Sequence, residues 1–207
     1  MANPTEARGR DRARTQDAIL VAARQVLAES GFPGFGINAV ARQAGCDKQL
    51  IYRYFGGLDG LVEAIGDDLA AWVSASLAQS SGPTPASYGE LVERLMLGFL
   101  ASFRSDVLVQ KIAAWEIADA SPLVQRLSEA RSKALAQWIA SQRADLVPPP
   151  DVDAAAVNAM LIAALQHMVL SASAMGQFGG MSLAKDEDWE RIEQAAVTII
   201  RAVYQRA

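Results

Sequence analysis

Apolar residues recur at helical period along almost the whole chain, and that periodicity restricts it to an all-α fold. Ile19, Ala22, Ala23, Val26 and Leu27 follow the i, i+3, i+4, i+7, i+8 spacing of one helix face. This predicts a first helix that starts after Thr15 as its cap and stops at Gly31, with a turn over Phe32-Pro33-Gly34-Phe35-Gly36. Ile37, Val40, Ala41 and Ala44 predict a two-turn second helix ended by Gly45, and Ile51 and Phe55 a short third one capped by Asp47. Gly56-Gly57 breaks the chain before a longer amphipathic helix through Leu58, Leu61, Val62, Ile65, Leu69, Trp72 and Val73. Gln79-Ser80-Ser81-Gly82-Pro83-Thr84-Pro85 reads as a linker. Five further helices are expected over Glu90–Phe103, Val107–Ala118, Pro122–Asp145, Asp151–Met175 and Asp186–Gln205, with Pro122 in a first turn behind Ser121. No strand alternation and no internal repeat is visible. The expectation is therefore about nine helices. Residues 1–56 would form a three-helix head with a basic N-terminal arm, and 57–207 a larger helical body.

Composition narrows the function classes. Half of the chain is apolar (51%), which supplies a core and excludes wholesale disorder. One cysteine, Cys46, excludes a disulfide framework and a multi-cysteine metal site and suits a reducing cytoplasm. Met-Ala-Asn-Pro-Thr-Glu shows no apolar run of the secretory kind. The uncharged stretch between Asp153 and Lys185 is long enough to span a membrane. Asn158, Gln166, His167, Ser171, Ser173 and the glycines 176, 179 and 180 dilute it, and no basic or aromatic flank anchors it, so a helix packed against protein is expected, with no membrane partner. Net charge is −4, but residues 1–60 hold eight Lys/Arg against six Asp/Glu, an excess of two that leaves the rest at −6. A basic head on an acidic body permits DNA binding at one end.

Two short helices joined by Ala44-Gly45-Cys46-Asp47 form the core of a helix-turn-helix, whose second helix reads the major groove. That helix spends only Ile51 and Phe55 on the core and turns Lys48, Gln49, Tyr52, Arg53 and Tyr54 outward. Lys48 can neutralise a phosphate, and Tyr52 and Tyr54 can offer hydroxyls to the DNA backbone. Gln49 suits adenine and Arg53 guanine by paired hydrogen bonds, each worth about 1–3 kcal/mol of discrimination. Leu50 offers apolar contact only. Asn38 and Arg14 complete the DNA-facing set, and the arm of Arg8, Arg10, Arg12 and Arg14 can track phosphates or enter a minor groove.

Residues 15–65, above all the run Ile37-Asn38-Ala39-Val40-Ala41-Arg42-Gln43-Ala44-Gly45-Cys46-Asp47-Lys48-Gln49-Leu50-Ile51-Tyr52-Arg53-Tyr54-Phe55, resemble the DNA-binding domain of the TetR family of repressors. Gly31-Phe32 at the end of the first helix, Ala41 and Ala44-Gly45 around the turn, Lys48 at the start of the recognition helix and the aromatic ending Ile51–Phe55 carry the likeness, which covers about a quarter of the chain. The chain departs from the family at three places. Gly36 stands where Ser or Thr often caps the second helix, and Leu58 where a phosphate-contacting lysine is usual. Cys46 replaces a small aliphatic residue and reads as core.

The resemblance implies a body that encloses a small-molecule pocket and whose last two helices build a four-helix dimer interface. Pocket candidates are Met96, Phe99, Phe103, Trp115, Glu116, Trp138, Met160, His167 and Met168, a set that favours a largely apolar effector. Dimer candidates are Ala159 and Ala163 from the apolar stretch and Trp189, Ile192, Ala196, Ile199 and Ile200 from the last helix, with Val203 on the same face. The implied partners are a palindromic DNA operator, a second copy of the chain and an unidentified effector. The implied place is the cytoplasm. Catalysis finds little material in one histidine and one cysteine, and no cofactor or metal is expected. A helical carrier of hydrophobic ligands whose head does not bind DNA, or an activator instead of a repressor, are the competing readings.

Overall fold

The structure is a computed structural model that describes residues 4–78 and 84–205, with side chains from Asp11 onward. Its elements are α1 (Pro4–Gly34), α2 (Ile37–Ala44), α3 (Lys48–Phe55), α4 (Leu58–Ala78), α5 (Tyr88–Ser105), α6 (Val107–Ala118), α7 (Pro122–Arg143), α8 (Ala154–Met175), β1 (Gln177–Phe178), β2 (Met181–Ser182) and α9 (Asp186–Tyr204). The all-α class is as the periodicity predicts. Of the linker expected over Gln79–Pro85, residues 79–83 lie outside the described residues. The chain forms two compact units, one of residues up to Trp72 with Lys111–Leu135, the other of Val73–Gln110 with Ala136 onward.

In the first unit α1 packs on α2 and α2 on α3. Ile19, Leu27, Val40, Ile51, Leu61, Ile65, Ile112 and Leu127 are fully buried there, each contributing about 1.5–3 kcal/mol. Thr15 does not cap α1, which is already helical from Pro4; its Oγ1 donates to the Asp11 carbonyl one turn back, at 2.8 Å. The first helix does break at the expected Gly31, where the backbone is non-helical (φ 63°, ψ −174°), and a further helical turn runs through Pro33 to Gly34. Glycine is needed twice over at the kink: the backbone is left-handed, and a Cβ would lie 2.6–2.7 Å from three atoms of the Trp115 indole. Trp115 thus lies flat against α1. A second close approach joins α4 to α7, where a Cβ on Gly66 would meet Ala130 Cβ at 2.7 Å and the Leu127 carbonyl at 2.8 Å. Ion pairs surround these contacts: Arg24 to Asp68 (3.2 Å), Arg126 to Asp59 (3.2 Å) and Glu63 (3.4 Å), and Arg131 to Glu116 (2.6 Å).

In the second unit the apolar face of α5 (Leu91, Val92, Met96, Leu100, Phe103) packs on α8 and α9. Ser87 caps α5 by accepting from Glu90 N (3.2 Å), while the Glu90 carboxylate reaches back to Ala86 N (2.8 Å). Buried Gln110 satisfies the other end: its amide donates to the carbonyls of Phe103 (2.8 Å) and Arg104 (3.1 Å), and its oxygen accepts from Ser173 (2.5 Å). The segment after α8 corrects the strand-free expectation. Gln177 pairs with Ser182 and Phe178 with Met181 in a two-residue antiparallel ladder closed by Gly179-Gly180. Two residues per strand are too few for alternation to show. Asp188 ties the hairpin to α9, accepting from Ser182 Oγ (2.8 Å) and Lys185 N (3.1 Å), bonds that hold its carboxyl below the usual range.

A polar relay closes the other end of α9. Tyr204 donates to Asn158 Oδ1 (2.9 Å), Asn158 Nδ2 donates to the Tyr88 hydroxyl (3.0 Å), and the two tyrosine rings meet edge-on at 5.3 Å. Burial first, then Tyr88 and Asp153, push the Tyr204 phenol up to about 12.

This packing sets three expected outcomes. Gly66→Ala gains about 1 kcal/mol of helix propensity but overpacks a backbone contact, a cost of about 1–3 kcal/mol, so urea denaturation should show a net loss. Gly36→Ser, with open space around its Cα and no side-chain cap at present, should instead gain a few tenths of a kcal/mol. For Tyr204 the folded pKa lies above the unfolded value of about 10. Its contribution is whole below pH ~10 and disappears as pH rises through 12. Phenolate absorbance should show one late-titrating tyrosine, absent in Tyr204→Phe; a single transition near 10 would refute the buried relay.

Candidate nucleic-acid interface

The turn between α2 and α3 is built by Gly45, whose left-handed backbone (φ 61°) lets its N–H and that of Cys46 return to the Arg42 and Ala41 carbonyls at 3.3 and 3.0 Å. Asp47 then starts α3, its carboxylate accepting from Gln49 N at 2.8 Å as expected. Ile51 is wholly buried and anchors α3 from beneath. The expected second anchor, Phe55, is half-buried. Cys46 is likewise half-buried and not core; burial, then Asp47, pushes its thiol pKa up.

Lys48, Gln49, Tyr52 and Arg53 are exposed and fall at i, i+1, i+4 and i+5, one continuous stripe along α3. Tyr52 leaves 55% of its surface free. Leu50 and Tyr54 flank the stripe half-buried. Asn38 in the first turn of α2, Arg42 in its last turn and Arg14 on α1 are exposed. The side chains of Arg8 and Arg10 lie outside the described residues. Backbone from Pro4 onward is helical, so the N-terminal segment is a continuation of α1 and not an extended arm. A helix about 10 Å across is wider than a minor groove of about 6 Å. Arg12 and Arg53 both sit over the Tyr54 ring, at 5.6 and 5.9 Å from its centroid. Sequence spacing carries no sign of that meeting, because Arg12 and Tyr54 belong to different helices.

The body residues separate into groups. Met96 and Phe103 are buried in the second unit with Phe99 stacked on Phe103 (5.5 Å), and Trp138 and Met168 are half-buried there. Met160 (73% exposed) and His167, which meets Phe178 edge-on at 4.8 Å, lie on the outer side of α8 and do not line an interior. Trp115 and Glu116 belong to the first unit, where one is spent on Gly31 and the other on Arg131.

The dimer set needs a similar correction. Ala159, Ala163 and Ile199 (51%) are exposed, but Trp189, Ile192, Ala196 and Ile200 are buried within the protomer. Trp189 donates its indole N–H to the Leu183 carbonyl (3.1 Å) and lies under the Arg104 guanidinium (4.3 Å), which also pairs with Asp186 (3.1 Å). Val203 is half-buried. On a helix with two apolar faces, periodicity does not say which one faces its own chain. By length and composition α8 could cross a membrane, with 22% of its apolar window buried in the protomer. Among the described residues no group of three or more His, Cys, Asp or Glu is placed to hold a metal ion.

Comparison with known proteins bears on the same residues. Residues 19–65 match the family model of the bacterial regulatory proteins of the tetR family, a span from the middle of α1 to the first turns of α4. No curated protein sequence matches significantly. Among solved structures, a TetR family transcription regulator from Marinobacter aquaeolei VT8 is similar over 95% of this chain and 98% of its own (TM-score 0.61, 17% identity). A transcriptional regulator from Rhodococcus sp. Rha1 is similar over 93% and 98% (TM-score 0.64, 18% identity), and Salmonella enterica GusR over 93% and 96% (TM-score 0.67, 16% identity). The TetR likeness read from the sequence therefore holds, in the head by sequence and along nearly the whole chain by fold.

Proposed function

We propose that this chain is a ligand-responsive transcriptional repressor that binds a two-fold-symmetric DNA operator as a homodimer in the cytoplasm. One observation carries the reading: the exposed stripe Lys48, Gln49, Tyr52 and Arg53, held on the buried anchor Ile51 within the segment that matches the tetR-family model. The stripe combines phosphate-neutralising and base-reading groups on a helix free to enter a major groove. Residues 1–56 are the reading head and 57–207 the sensing and dimerising part. Ala159, Ala163 and Ile199, continued by Met160 and His167, form the face on which a second copy docks, since an uncovered apolar helix of this length needs a partner. Met96, Phe99, Phe103 and Trp138 supply the apolar material for an effector site. The effector acts by population shift, withdrawing the dimer from DNA by its difference in affinity between the two states.

Selection of bound fragments from the source genome tests the function. The wild-type chain should enrich an inverted repeat with half-sites about one helical turn apart, and Tyr52→Ala, with unchanged thermal unfolding, should not. Enrichment of nothing by the wild type would support the carrier reading instead. The dimer is tested separately. Ile199→Glu places a charge on an exposed position, so the fold should persist while sedimentation equilibrium moves from dimer to monomer. An Ile199→Glu chain that stays dimeric would remove this face from the interface.

A further inference from the structure

The N-terminal stretch of α1 and the end of α3 meet at one aromatic ring. Arg12 comes from the first and Arg53 from the second, and both guanidinium carbons lie within 6 Å of the Tyr54 centroid. Among the described residues neither arginine is paired with a carboxylate. Both are exposed, while Tyr54 is half-buried, so the ring is fixed by packing and the charges are free in solvent. Two cations drawn to one ring repel each other, and the electron-rich face offsets that repulsion only in part. A doubly coordinated anion would complete the arrangement, and the planar fork of arginine fits phosphate oxygens in pairs.

We propose that Tyr54 is the platform of a two-arginine phosphate clamp: its ring orients Arg12 and Arg53 so that both meet a single backbone phosphate of bound DNA. The proposal rests on the reading of α3 as a DNA-binding helix. It changes two sequence expectations. Tyr54 acts through its ring face and not as a hydroxyl donor, and Arg53 goes to the backbone and not to guanine. It also gives the helical N-terminal extension a role that does not need the minor groove. Tyr54 is thus a positioning residue.

The test is the salt dependence of binding by the full chain to a duplex carrying the selected inverted repeat, beside a scrambled duplex, by fluorescence anisotropy. Arg12→Ala should weaken both duplexes alike and lower the slope of log affinity against log salt by about one for each head engaged. Tyr54→Phe should match the wild type, because the platform survives. Tyr54→Leu should lose as much as Arg12→Ala, and the double variant no more than either single change. Arg12 is exposed, so its variant tests the clamp even where Tyr54→Leu unfolds. Wild-type slope in Arg12→Ala, or losses in Tyr54→Phe equal to those in Tyr54→Leu, would overturn the clamp while leaving DNA binding intact. A wild-type chain with no salt-dependent binding to either duplex would overturn the DNA-binding reading and the clamp with it.

Discussion

The first unit depends on two places where a side chain has no room. At Gly66 the helices α4 and α7 touch backbone to backbone, and at Gly31 the indole of Trp115 lies on the kink of α1. Neither contact accepts a methyl group without movement. They make the middle of the chain, residues 111–135, part of the same compact unit as the helix-turn-helix. The ion pairs around them are secondary. Arg126 with Asp59 and Glu63 is exposed and contributes little, whereas Arg131 with nearly buried Glu116 fixes α6 against α7 at more cost if broken.

The reading surface is built economically. Gly45 turns the chain, Asp47 starts α3, Ile51 anchors it, and Lys48, Gln49, Tyr52 and Arg53 are left exposed for the proposed recognition. Ile51 is the one wholly buried residue of α3, with Leu50, Tyr54 and Phe55 half-buried beside it, and the helix packs on α2. Overall charge opposes DNA binding at −4, so attraction has to be local. The meeting of Arg12 and Arg53 over Tyr54 concentrates charge where the net excess in the head is only two.

Much of this was legible in the sequence, for reasons that differ by element. The period of Ile37, Val40, Ala41 and Ala44, with Gly45 behind it, placed α2 correctly because an amphipathic helix with a glycine stop has few alternatives. The start of α1 was misplaced because Thr15 is a good cap by residue type, and only the structure shows its hydroxyl bonded one turn back. The hairpin after α8 was missed because four residues are too few to alternate. The interface set was half misassigned because Trp189, Ile192, Ala196 and Ile200 are buried within the protomer, whose α9 packs on α5. Contacts between distant helices, Gly31 with Trp115 and Arg12 with Tyr54, left no periodic trace at all.

The central claim is that α3 reads DNA, and one titration tests it most directly. The wild-type chain is added to a labelled duplex from its own upstream region and to a scrambled duplex of the same length, across a salt series. The account predicts tighter binding to the upstream duplex, a steep fall with salt on both, and a stoichiometry of two chains per symmetric site. Equal, weak and salt-insensitive binding to both duplexes, together with an empty genomic selection, would contradict it.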